Sequence, residues 1–268
     1  MQAVTGIFLS QDQAKKAVDR LRSSGLSNDA VTLLTPGKRS EQELKTVPVD
    51  TTEQPGMGKA IGAVIGGAAG LSSAAVAAII PGVGLVTAVG LLGAAVLTAA
   101  GAGVGAAAGK SLENSMSHGL PEDEIFVYED ALRKGRSVVV ALVEDESKAA
   151  DCRKLLKEEG AEAVDAARNE WWIGLRSAEQ EHYLKSGPGP RIPRNFDEAE
   201  RYYRMGFEAA LHARARCKEF DQVSQEMANR VEELEQQNPG VELAESFTRG
   251  YQRGREYYQH LCDQSKAA

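Results

Sequence analysis

A chain of 268 residues with 26% charged side chains and a formal net charge of −7 has room for about two domains and no global basic field, so no nucleic-acid partner is expected. Its three cysteines, Cys152, Cys217 and Cys262, are odd in number and far apart, which fits a reducing compartment and excludes a disulfide framework. The opening Met1-Gln-Ala-Val-Thr-Gly6 lacks the basic region and apolar run of a signal peptide, so the flanks of the chain are expected to be cytoplasmic.

Residues 3–9 are rich in apolar side chains and alternate loosely, the pattern of a strand. Residues 11–24 follow with Ala14, Ala17, Val18 and Leu21 at helical spacing, and Gly25 is a stop signal. Residues 31–35 read as a second strand, which completes a βαβ unit. Residues 36–56 are polar, carry Pro36-Gly37, Pro48 and Pro55, and read as a linker.

Residues 60–109 then run without a single charge, closed by Lys59 and Lys110 and broken by Pro81-Gly82-Val83-Gly84. Two apolar helices, 60–80 and 85–108, are expected around a tight turn; about 20 helical residues span a hydrocarbon core. Gly58, Gly62, Gly66 and Gly70 recur every fourth residue, Ala74 and Ala78 continue the row, and Gly101, Gly105 and Gly109 repeat it in the second half. Positions i and i+4 share a helical face, so each helix would carry a small-residue groove for close packing and self-association. The competing readings are a hairpin buried in the core of a soluble assembly and a low-complexity Ala/Gly linker. A bilayer hairpin would return both flanks to one side of the inner membrane.

Residues 121–132 read as a helix led by Pro121 and the acids Glu122, Asp123 and Glu124. Residues 137–143 form a strong strand, 147–159 a helix ending at Gly160, and 162–167 a weaker strand. This second βαβ unit repeats the first at an offset of 135: Val4 with Val139, Ala14 with Ala149, Leu21 with Leu156, Gly25 with Gly160. The expected fold class is α+β, a ferredoxin-like split βαβ sandwich with helices on one face. The apolar hairpin is inserted between its halves, and a small helical bundle follows. The domains would be 1–56 with 119–167, the hairpin 57–118, and 168–268.

Twelve of the fifteen aromatic residues fall between 171 and 258. The loop Ser186-Gly-Pro-Gly-Pro-Arg-Ile-Pro193 separates residues 171–185 from expected helices at 197–217, 221–236 and 241–261. A short repeat at an offset of 44 matches Tyr203-Arg-Met-Gly206-Phe207 with Phe247-Thr-Arg-Gly250-Tyr251, and Ala210 with Gly254. Small residues beside aromatics on one face point to two helices crossing closely at Gly206, Phe207, Gly250 and Tyr251.

The order of parts in residues 1–167 resembles a widespread group of bacterial general-stress and low-temperature-induced glycine-zipper proteins. The resemblance rests on Val4-Thr-Gly-Ile-Phe8, the glycine row, His118-Gly-Leu-Pro-Glu-Asp-Glu124, Tyr128-Glu-Asp-Ala-Leu-Arg-Lys-Gly135 and residues 138–143. Residues 171–262 look like an extra helical module seen alongside such proteins. The resemblance implies a stress or envelope-protection role and brings no catalytic residues with it.

Residues 103–111 nearly spell a phosphate-binding loop ending in Gly109-Lys110-Ser111. The first glycine would have to stand at Val104, and no strand precedes it. The same missing strand removes a dinucleotide fingerprint at Gly103, Gly105 and Ala108. His118, His182, His212 and His260 are scattered without metal-ligand spacing. Glu179, Glu181 and His182 stand together near Tyr183 without a nucleophile, and Arg249, Arg253 and Arg255 read as structural ion pairs or an anionic contact surface. No catalytic, cofactor or metal site is expected. The sequence thus points to a non-enzymatic, membrane-anchored or membrane-associated protein that self-assembles. A soluble homo-oligomeric scaffold is the alternative, and small-ligand binding by the C-terminal module is a second one.

Overall fold

The computed structural model describes residues 2–37, 75–80, 83–90, 123–185, 195–212 and 244–267, with isolated positions between 228 and 236. The chain divides into two compact units, Met1–Pro121 with Tyr128–Val164, and Glu122–Val127 with Asp165–Ala268. It is mixed α/β, with one antiparallel sheet and several helices.

The first unit contains β1 (Gln2–Phe8), α1 (Gln11–Ser23), β2 (Val31–Pro36), β3 (Ala75–Ile80), β4 (Gly84–Val89), most of α2 (Ile125–Arg133), β5 (Ser137–Val143) and α3 (Glu146–Glu158). The strands form a five-stranded sheet in the order β1-β5-β2-β4-β3, antiparallel at every step. The two βα units are therefore interleaved: Gln2 pairs with Val143 and Phe8 with Ser137, while β5 pairs on its other side with β2.

The offset of 135 reaches into the capping chemistry. Ser10 accepts a hydrogen bond from the Gln13 N–H at the start of α1, and Asp145 accepts one from the Lys148 N–H at the start of α3. Each cap satisfies an N–H that the first helical turn leaves open. At the other ends Gly25 and Gly160 take φ of 103° and 88°. Gly25 N–H donates to Arg22 and Leu26 N–H to Leu21; Gly160 N–H donates to Lys157 and Ala161 N–H to Leu156. These are two copies of one glycine-terminated stop.

Period-2 alternation sends Val4 and Phe8, Val31 and Leu33, and Val139, Ala141 and Val143 to one face of the sheet. There they pack with Ala14, Ala17, Val18 and Leu21 of α1 and with Ala149, Cys152 and Leu156 of α3. The other face differs from the expectation of helices on one side only. Ile7, Thr32, Leu34, Val138 and Val140 are buried too. On that face the hydroxyls of Thr5 and of Tyr128, from α2, share a hydrogen bond of 2.8 Å.

The largest departure from the sequence reading lies in the uncharged stretch. Residues 75–80 and 84–89, expected within two helices, are paired strands, with Ala75 opposite Val89 and Ile80 opposite Gly84. The loop closes through a hydrogen bond from Val83 N–H to the Ile80 carbonyl, and Gly84 has φ of 97°. Val76, Ile79, Ile80, Val86, Thr87 and Val89 are β-branched, stiff at χ1 and favoured on a pleated sheet, and β2 supplies a ladder for β4 from Leu33 to Pro36. Ala78 therefore faces Val86 across a strand pair and does not extend a helical glycine row. Gly58, Gly62, Gly66, Gly70, Ala74, Gly101, Gly105 and Gly109 lie outside the described residues. β3 and β4 belong to the same compact unit as β1, β2 and β5. Among the described residues no helix is long and apolar enough to cross a membrane.

A second correction concerns residues 162–167. Only Glu162 bridges β1, exchanging backbone hydrogen bonds with Ile7, and the chain is helical from Val164.

The second unit contains α4 (Val164–Lys185), α5 (Phe196–Leu211) and α6 (Ala244–Ala267). Residues 186–194, 213–217 and most of the expected helix at 221–236 lie outside the described residues. Its core is aromatic: Trp171 and Trp172 set their rings 5.9 and 5.8 Å from Phe207, and Tyr183, Phe196 and Tyr203 form a mutual edge-to-face cluster. Phe126 joins it, 4.7 Å from Trp171.

Candidate functional site

The second unit is assembled around a crossing of α5 and α6. A Cβ placed on Gly206 would overlap the Phe247 carbonyl, and one on Gly250 would overlap the Tyr203 carbonyl. Gly254 lies against the Phe207 carbonyl and Ala210. The contacts climb both helices together, so α5 and α6 run in the same direction where they cross. The structure thus brings together the four residues singled out for a crossing, Gly206, Phe207, Gly250 and Tyr251. Backbone approaches backbone because no side chain intervenes.

This approach aligns side chains beside the crossing. Glu179 of α4 is buried at 1% exposure. Its carboxylate accepts from Tyr203 Oη at 2.9 Å and from Arg253 Nε and Nη2 at 3.0 and 3.1 Å. Three helices are thereby joined through one buried charge. A buried carboxylate demands such partners, because leaving it unpaired costs several kcal/mol. Burial, reinforced by the Glu179 charge, holds the Tyr203 hydroxyl far above the ordinary phenol range. Tyr203 is accordingly a fixed donor and is poorly suited to act as a base.

The network borders a surface recess of about 340 Å³, which Tyr183, His182, Arg249, Gln252 and Glu256 also line. Burial raises the Tyr183 hydroxyl as well, opposed by the Arg249 guanidinium, which lies 5.2 Å above the Tyr183 ring. Two turns toward the start of α4, on the same face as Glu179, Glu200 of α5 accepts from Trp172 Nε1 at 2.8 Å and from Arg176 Nε at 2.9 Å. Burial opposes the charge of Glu200, but these hydrogen bonds together with the charges of Arg176 and Arg204 outweigh it and hold the carboxyl below its ordinary value.

Of the histidines, His182 lines the recess, His212 caps α5 and His260 is exposed; residues 103–118, with the near-phosphate loop and His118, lie outside the described residues. Among the described residues no group of three His, Cys, Asp or Glu side chains is placed to hold a metal ion. The sequence reading noted Glu179 and Arg253 separately and missed Tyr203 as their partner. The available signal was the i, i+4 spacing of Arg249 and Arg253 on one helix face and of Glu179 and Tyr183 on another.

In comparisons with known proteins, no family model, no curated protein and no solved structure matches this chain.

Proposed function

We propose that the chain is a non-enzymatic, self-assembling protein of stress-related type, with the first unit as its frame and the uncharged stretch 60–109 as its assembly element. The frame is read as a split βαβ pair of ferredoxin-like kind. The antiparallel order β1-β5-β2 supports this, and the Glu162 bridge on the outer side of β1 stands where a fourth strand would lie. The observation that carries the function is the placement of β3. It comes from the middle of the uncharged stretch, ends the sheet, and has no further strand beside it among the described residues. Such an edge offers a row of backbone donors and acceptors to another chain. A soluble assembly of copies suits this arrangement better than a bilayer hairpin, because strands at 75–80 and 84–89 interrupt both expected spans.

Light scattering on the full chain in detergent-free buffer should give the mass of several protomers. Ala77→Lys, which sets a charge on the edge strand, should lower that mass and leave the cooperative melt in place. A monomer at every concentration refutes assembly. Recovery only from membranes with detergent restores the bilayer reading.

A further inference from the structure

The recess of the second unit is built as a receptor for a negatively charged group. Its volume, about 340 Å³, lies at the lower end of small-molecule sites. Arg249 and Arg253 stand one turn apart on α6 and line it together. Both guanidiniums are held in place by rigid neighbours. Buried Glu179 grips Arg253 through Nε and Nη2, and Arg249 lies over the Tyr183 ring. A guanidinium fixed in this way loses little freedom when it binds an oxyanion. The third nitrogen of Arg253, Nη1, donates to Glu256 at 3.2 Å and to no other side chain among the described residues. That partner is weak: the Glu256 side chain is 62% exposed and lies three residues away on the same helix. Exposed pairs of this kind contribute little to stability.

We propose that this recess binds a small organic oxyanion, a carboxylate or a phosphate ester, between Arg249 and Nη1 of Arg253. Glu256 occupies the place of the ligand and yields it on binding. Gln252 supplies a neutral amide and His182 a ring nitrogen at the rim. Deep in the site, Glu179 sets the direction of Arg253 and takes no part in contact. The inference concerns the second unit alone and does not depend on assembly through β3.

Isothermal titration of the full chain with inorganic phosphate and with benzoate, at ionic strength matched with sodium chloride, tests it. Saturable binding of at least one probe is expected; phosphate alone points to a phosphate ester, benzoate alone to a carboxylate. Arg249→Gln should weaken binding at least tenfold. Glu256→Gln removes the competing carboxylate and should strengthen binding severalfold. Since Glu256 is largely exposed, that variant keeps the fold and the test stays decisive if Arg249→Gln is unstable. Absence of binding with both probes overturns the proposal, as does equal binding by the parent and Glu256→Gln. The Glu179 network would then be a fastening between helices and nothing more.

Discussion

At the scale of single residues, the glycines of the second unit are not equivalent, and their differences are measurable. Gly206 and Gly250 have carbonyls of the opposite helix where a Cβ would stand. Gly206→Ala or Gly250→Ala must push α5 and α6 apart along the whole crossing, and each should destabilise by about 2–3 kcal/mol or more. Gly174, exposed on α4, has nothing within 4 Å of its hypothetical Cβ. Gly174→Ala should therefore stabilise by about 0.5–1 kcal/mol, since alanine has less conformational freedom to lose. Urea midpoints of the three variants check this; equal shifts would mean that the crossing does not depend on close backbone approach. Glu200 gives a pH signature. Its folded pKa lies below the unfolded value, so its contribution is complete above the unfolded value near 4.5 and is lost as pH falls through the folded one. The melting temperature of the parent should thus fall more steeply below about pH 4.5 than that of Glu200→Gln. Parallel profiles would show that the Trp172 and Arg176 hydrogen bonds do not stabilise the charged form.

Elements differ in how plainly the sequence declares them. α1 and α3 were legible with their stops because local chemistry decides them: Ser10 and Asp145 at the starts, Gly25 and Gly160 at the ends. The repeat at an offset of 135 gave the same information twice. The helix crossing was legible because Gly206 and Gly250 fall at one place in a second repeat. β3 and β4 were misread because the spacing of glycines outweighed the β-branched run from Val76 to Val89. Pro81-Gly82-Val83-Gly84 breaks a helix and turns a hairpin equally well. What decided between the two was the open side of β2, a tertiary fact that residues 75–89 do not contain. The Glu179 network was illegible for a like reason. Its members stand on three helices, and Glu179 and Arg253 are 74 positions apart.

For the whole molecule, the question is how far the first unit depends on its hairpin. Among the described residues, the core between the sheet and α1 and α3 draws on β1, β2, β5 and the two helices, and on no residue of β3 or β4. A chain in which a short flexible linker replaces residues 57–118 should therefore keep a cooperative melt. The melt should come at a lower temperature, because Ile80, Val86 and Ala88 are buried in the intact chain and β2 loses its outer neighbour. Calorimetry on the shortened chain checks this, and a product without a melting transition would make β3 and β4 part of the folding core.

The interleaving of the two βα units also fixes an order of events during synthesis. β1 and α1 are complete early, yet the partner of Gln2 is Val143 and that of Val31 is Ala141. At roughly 5–20 residues per second, the first 37 residues wait on the order of ten seconds for β5 to be made. Throughout that interval β1 and β2 have no strand between them, and the uncharged stretch emerges in the same interval. Closure joins ends far apart along the chain, which is slow even once both are present. The nascent chain thus passes through a window in which β1 has no strand partner and β2 can pair only with β4, and holding factors at the ribosome would act in that window.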